Sequence, residues 1–212
     1  MNQRTPLRST RSTHRKLAVT RAAAVVLRRR GLDALTHRAV AEESDLPEAT
    51  VRAFHPSREH LRVEALRYTL TGWVLRGEEF IDRLPRPLDL EHAARAIVEV
   101  ATVHPAEHAE STRAVIAGVY ERYIQSGRHP ELHALVAAYN LELTDFVGRI
   151  LALNGRVVRA EIARAVLAVV DGTVVYTLAT GESPVDEAAR AVQTAIPLLC
   201  PIRTDLRENH DC

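Results

Sequence analysis

Apolar residues recur at helical spacing along most of the chain. Ala18, Ala22 and Val26, flanked by Val19, Ala23 and Leu27, mark one face of a helix over residues 14–30. Three arginines and Gly31 follow, which places cations at the negative helix end before a residue free to turn left-handed. Thr36 can cap a short second helix that carries Val40 and Ala41 and ends near Ser44. Asp45-Leu46 makes a tight turn. Pro47 suits the first turn of a third helix running to Ala53, because a first-turn N–H needs no partner inside the helix. His55-Pro56 breaks that helix and Ser57 caps the next. The next is long, over residues 58–83, with Leu61, Ala65 and Tyr68 on one stripe and Leu66, Leu70 and Trp73 on another. Breaks at 84–87, His104-Pro105, 127–130, Asn154-Gly155 and 181–184 divide the remainder into further helices of bundle length. Strand-like alternation is scarce, so the expected fold class is all-α.

The last two helices, near 157–180 and 185–199, have the most apolar character. Ile162, Val166, Val169, Val170, Val174 and Leu178 crowd the first, and Ala188, Val192, Ile196 and Leu199 line the second. A surface helix keeps a polar back. The first of these has too little, so it is either wholly buried or pairs with a second copy.

Composition adds size and partner class. At 212 residues and 46% hydrophobic content, the chain can bury a substantial core around a small head and a larger body. Charge is unevenly spread. Residues 1–67 carry 14 Lys+Arg against 7 Asp+Glu, net +7, whereas residues 68–212 carry 14 against 20, net −6. A basic head on an acidic body points to an anionic partner for the head. The first 13 residues are polar and arginine-rich and read as a mobile arm. Cys200 and Cys212 form neither a metal motif nor a disulfide framework. No apolar run is expected to span a membrane, and the expected location is cytoplasmic.

Three short helices with a tight second turn form a helix-turn-helix head, whose third helix can enter a major groove about 12 Å wide. Residues 19–61 resemble the head of the TetR (tetracycline-repressor-like) family. The resemblance rests on Ala22, Ala23, Gly31, Thr36, Val40, Ala41, Thr50, Val51, Phe54, Arg58 and Leu61, in order and without a gap. Four positions depart from the family pattern. Asp45 replaces the usual turn Gly, Pro47 the usual Ser cap, Glu48 a basic residue, and Arg52 the Tyr inside the reading helix. Asp tolerates left-handed angles. Arg52 can offset Glu48 by gripping a phosphate or a guanine.

The resemblance implies a ligand-responsive transcriptional repressor that binds a palindromic double-stranded DNA operator as a homodimer and is released by a small-molecule effector. It implies a flexible basic arm at 1–13, a helix-turn-helix domain at 14–60, a helical ligand-binding and dimerisation domain at 61–202 and a tail at 203–212. Thr36, His37 and Arg38 should approach phosphates. Glu48, Ala49, Thr50, Arg52 and Ala53 lie on the reading helix, and His55 and Arg58 flank it. Arg4, Arg8, Arg11 and Arg15 could reach a minor groove or the backbone. The apolar sets of the last two helices are the expected dimer face.

Polar residues set in apolar helices are the candidates for a ligand pocket: Trp73, His104, Tyr120, Tyr123, Asn140, Asp171 and Tyr176. His104 and His108 could form half a metal site, but Pro105 between them spoils the helical geometry, so no metal and no cofactor is expected. No nucleophile–base spacing or phosphate loop stands out, and the chain is not expected to be an enzyme. The alternative is a helical small-molecule-binding or interaction protein whose head no longer reads DNA, which Glu48 and the missing Tyr would explain.

Overall fold

A computed structural model describes residues 6–102 and 112–200, all helical apart from turns and connections. The elements are α1 (Pro6–Arg30), α2 (His37–Ser44), α3 (Glu48–Phe54), α4 (Arg58–Asp82), α5 (Leu90–Thr102), α6 (Thr112–Ser126), a 3-10 turn (Pro130–Leu132), α7 (His133–Leu153), α8 (Ala160–Thr180) and α9 (Pro184–Leu199). The punctuation acts as its chemistry dictates. Gly31, Gly155 and Gly181 all have positive φ, and Asp45 is the non-glycine residue that does, at 52°. Ser183 caps α9 by accepting from the Asp186 N–H. One boundary differs from expectation: α1 starts at Pro6, so residues 6–13 continue the first helix instead of forming an arm. Proline fits a helix start, and the Ala-rich stretch behind it extends a helix already nucleated.

The chain divides into two compact units: Met1–Trp73 with Glu121–Ala138, and Val74–Tyr120 with Tyr139–Cys212. In the first, α1, α2, α3 and the first turns of α4 bury Val19, Ala23, Leu27, Leu32, Leu35, Val40, Val51, Leu61 and Ala65. This core also takes in Leu132, fully buried and contributed from far along the chain. Arg122 of α6 donates to the Arg28 carbonyl near the end of α1 at 2.9 Å, and Arg62 of α4 lies 3.4 Å from Glu131. The compact head therefore includes the α6–α7 turn and does not end at residue 60.

In the second unit, α5, α8 and α9 form the central packing, with Ala93, Ile97, Val166, Val170, Val174, Ala188, Val192 and Ile196 buried together. α7 adds Phe146, Val147, Ile150 and Leu151. α4 and α7 meet so closely that a Cβ built on Gly77 would lie 2.4 Å from the Phe146 ring. Phe146 is only 1% exposed and cannot swing away. Gly77→Ala is therefore expected to destabilise the protein by about 1–3 kcal/mol through overpacking, despite the better helix propensity of alanine; urea denaturation reads the change.

α8 is the most apolar of the long helices, although Glu161, Arg164 and Asp171 interrupt it. Its 21 residues, with an 18-residue window of mean hydropathy 1.6, are long and apolar enough to cross a membrane by length and composition alone. Its Val166, Val170 and Val174 stripe is buried against α5 and α9.

Candidate functional site

The reading geometry is set by caps and one left-handed residue. Thr36, extended at φ −124°, accepts from the Ala39 N–H at 3.1 Å and starts α2. Asp45 ends α2 in the left-handed region, where its N–H bonds the Ala41 carbonyl. Pro47 stands just before α3 as its N-cap and supplies no side-chain bond. α3 is pinned by Val51, which is fully buried. The opposite side of this helix faces outward: Ala49, Arg52 and Ala53 are exposed, and Glu48 and Thr50 half-buried. Such a helix, braced from behind with small side chains between longer ones, can approach base edges closely.

The two arginines of this surface have neighbours on their own helices. Arg52 donates to Glu48 at 2.6 and 3.0 Å, and Arg38 donates to Glu42 at 3.0 Å. Both are solvent-exposed pairs four residues apart, each worth about 0.3–0.5 kcal/mol, so a phosphate or a guanine can replace either carboxylate at small cost.

Three expected contact residues are engaged elsewhere. His55 is fully buried and His37 is 7% exposed, so neither presents its ring to DNA. The family resemblance made them contact candidates, but both serve as internal hydrogen-bonding groups. The donor–acceptor order closes with one assignment. The Thr20 hydroxyl donates to the Lys16 carbonyl at 3.0 Å and accepts from His55 Nε2–H at 3.4 Å. His55 Nδ1 accepts from His60 Nδ1–H at 3.2 Å, and His37 Nε2–H donates to the His55 carbonyl at 2.7 Å. Arg58 is the third. Its half-buried guanidinium donates to the carbonyls of Leu35, at 3.2 Å, and Asp33, fastening the α1–α2 connection.

Burial, with His60 beside it, lowers the pKa of His55 from 6.5 to about 4; Lys16 and His37 push the same way and Glu64 opposes them. Between those two values the unfolded chain binds the extra proton, so stability rises with pH across that window. It is fully present above pH 6.5 and is lost as pH falls towards 4. The expected loss is about 2–3 kcal/mol between pH 7 and pH 4, absent in His55→Gln, and read by denaturation at a series of pH values.

In the second unit, two of the pocket candidates meet. The Tyr120 hydroxyl of α6 donates to Asp171 Oδ1 of α8 at 2.7 Å. At the start of α6, Arg113 donates to the carbonyls of Thr177, at 3.2 Å, Leu178, and Glu182, at 2.8 Å, where α8 ends. Residue 113 meets 177–178 and residue 120 meets 171, so the two helices run antiparallel. Desolvation by the neighbouring side chains raises the Asp171 pKa and the Tyr120 bond opposes the shift, in a residue that is itself exposed. Asn140 is half-buried and its carbonyl accepts from Thr144. Tyr176 is 62% exposed, and Trp73 and Tyr123 belong to the first unit. His104, with the His104/His108 pair, lies outside the described residues, as do the side chains of Arg4, Arg8 and Arg11. Among the described residues, no group of three or more His, Cys, Asp or Glu could hold a metal ion.

The expected dimer face needs correction. Val166, Val170, Val174, Ala188, Val192 and Ile196 are fully buried within their own chain. Ile162, Val169, Leu178 and Leu199 pack, partly buried, on the same core. A second seam on α8 faces outward instead: Ala168, Gly172, Val175 and Ala179 are exposed, with Ala165 half-buried beside them. The most apolar window of α8 is only 28% buried. A Cβ on Gly172 would meet nothing within 4 Å.

Residues 88–198 match a family model described as tetracyclin repressor-like, C-terminal domain. None of the curated proteins matches the chain. Among solved structures, the multidrug binding protein EbrR in complex with ethidium is 25% identical, with 89% of this chain and 99% of that one covered and a TM-score of 0.62. A TetR-family member from Streptomyces coelicolor A3 is also 25% identical, at 89% and 99% coverage and a TM-score of 0.59. A TetR transcription regulator from Haloarcula marismortui ATCC 43049, 17% identical over 86% and 95% of the two chains, shares the fold with a TM-score of 0.62.

Proposed function

The chain belongs to the tetracyclin repressor-like family, and on that premise we propose that it is a ligand-responsive transcriptional repressor binding a palindromic operator as a homodimer. The observation that carries this reading is the outward face of α3. Glu48, Ala49, Thr50, Arg52 and Ala53 are presented by a helix whose inner side is anchored at Val51 and whose entry is set by the left-handed Asp45. Thr36 and Arg38 sit at the start of α2, where backbone N–H groups and a cation can hold a phosphate.

Dimerisation supplies the second half of the reading. The exposed seam of α8, from Ala168 to Ala179, is the surface we assign to the partner copy. Small residues let two helices approach closely, and burial of this seam would give α8 the cover its apolar composition demands. Two reading helices then fall in successive major grooves, about 34–36 Å apart. Binding there blocks a promoter.

Release follows from a small molecule that binds the second unit among Tyr120, Asn140 and Asp171. EbrR is described in complex with ethidium, and an aromatic compound of that size is the effector class we infer here. α4, α6 and α7 each contribute residues to both compact units. The ligand acts only as far as it binds the released state more tightly than the bound one. Selection of bound DNA from a random pool tests the proposal. It should enrich a twofold-symmetric sequence with half-sites separated by about one helical turn. Binding that stays independent of sequence would leave instead a small-molecule-binding protein with a non-reading head.

A further inference from the structure

We propose that Glu48 and Arg52 read DNA as one unit, in which Glu48 holds the Arg52 guanidinium ready for a guanine and away from the phosphates, so that each operator half-site carries a guanine facing α3. The inference rests on the regulator reading and deepens it by naming a base and a positioning residue.

Glu48 and Arg52 stand one turn apart on α3, with side chains 40% and 58% exposed, as a reader of a groove requires. Arg52 Nε–H and one Nη2–H both go to a single carboxylate oxygen, Glu48 Oε1, at 3.0 and 2.6 Å. A guanidinium carries five N–H donors in one plane. With the side edge held, one N–H from each terminal nitrogen remains as the end-on fork, which fits guanine O6 and N7. The carboxylate therefore stays in place when the base arrives. It also fixes the plane of the fork beforehand, which lowers the ordering cost of a long side chain. Adenine sets an amino donor beside its N7, and the pyrimidines lack a second acceptor, so the fork discriminates. Glu48 lies in the first turn of α3, where the positive helix end favours its charge. The exposed Ala49 and Ala53 beside the pair leave room for a close approach.

Phosphate is the competing target. It would meet a guanidinium already offset by a carboxylate, and Glu48 Oε2, which neither bond uses, would repel it. A guanine edge has no net charge and meets no such repulsion. Arg38 is the contrast. It is bonded to Glu42 through Nε, at 3.0 Å, and its side chain is 83% exposed, which leaves both terminal nitrogens to a phosphate.

The test is selection from a pool of random duplexes with the full-length protein, followed by binding isotherms on the recovered operator and on an unrelated duplex. The unsubstituted protein should enrich a half-site with one guanine whose replacement weakens binding about 5- to 150-fold. Arg52→Ala should lose the preference at that base alone. Glu48→Ala should reduce the preference to about threefold or less, while binding to the unrelated duplex tightens because a repelling charge is gone. Glu48→Gln keeps an acceptor for Arg52, so the guanine preference should survive although binding to the unrelated duplex again tightens. A merely structural role for Glu48 would move both affinities in the same direction. Arg38→Ala should weaken all sequences alike and lower the salt slope by about one. Putting 7-deazaguanine at the selected base removes the N7 acceptor and should weaken the unsubstituted protein but not Arg52→Ala, a readout that no folding defect imitates. An operator without a guanine that depends on Arg52, or a guanine preference unmoved by Glu48→Ala, would overturn the inference and leave the regulator reading standing. So would uniform weakening by Arg52→Ala with a lower salt slope, since Arg52 would then hold a phosphate. A pool that yields no preferred sequence removes both.

Discussion

Gly172→Arg is expected to leave a folded monomer in place of the proposed dimer and to remove most of its operator affinity. In the single chain the position is open: a Cβ there meets nothing within 4 Å. Arginine is also a better helix former than glycine by close to 1 kcal/mol. The monomer should therefore fold at least as well as before. A second copy changes the balance. Gly172 sits in the middle of the exposed seam with Ala168, Val175 and Ala179, where only small side chains allow close helix contact. A guanidinium forced against its symmetry mate there is both too large and like-charged. Loss of the dimer removes the tethering of the second reading helix, and avidity losses of about 10²–10⁴-fold in operator affinity are the expected size. Sedimentation velocity reads the mass, circular dichroism the fold, and a binding isotherm the affinity. If the variant stays dimeric, the interface lies on another face of the molecule.

Leu132→Ala is expected to cost about 2–5 kcal/mol, although the residue lies more than 70 positions beyond the end of α3. Leu132 is fully buried among Val19, Leu27, Leu35, Val51 and Leu61, so truncation opens a cavity in the head itself. Arg122 and Arg62 hold the same turn by polar contacts to Arg28 and Glu131. Hydrogen exchange should locate the damage. Amides of α1 and of the first turns of α4 should exchange faster, whereas those of α5 and α9 should not. A head that ends at residue 60 would show no such change.

Gly172 and Leu132 both lie where local sequence rules give out. The short helices of the head could be placed because each boundary rests on a local rule: Thr36 as a cap, Asp45 in a left-handed turn, Pro56 after α3, Ser57 before α4. Leu132 could not be assigned to the head, because nothing local records which distant core a leucine joins. α8 is apolar on two sides, and periodicity cannot tell the side facing its own chain from the side left open. Periodicity points to the Val166–Val170–Val174 stripe as the partner face, while Ala168, Gly172 and Val175 are the exposed ones. His37 and His55 follow a related rule: a polar residue in a binding motif looks like a contact, yet here the His55 ring bonds His60 and Thr20 and the His37 ring bonds the His55 carbonyl inside the head. Tyr120 and Asp171 were both visible as polar residues in apolar helices, but their pairing depends on the antiparallel register of α6 and α8.

The central claim is that the outer face of α3 reads base edges, and Arg52→Ala tests it most directly. Its exposed pairing with Glu48 contributes little to folding, so stability should change by under about 0.5 kcal/mol. On the operator recovered by selection, the variant should bind roughly 5- to 150-fold more weakly, with sequence preference relaxed at one position in each half-site. Unchanged affinity and unchanged preference in a folded Arg52→Ala dimer would contradict it.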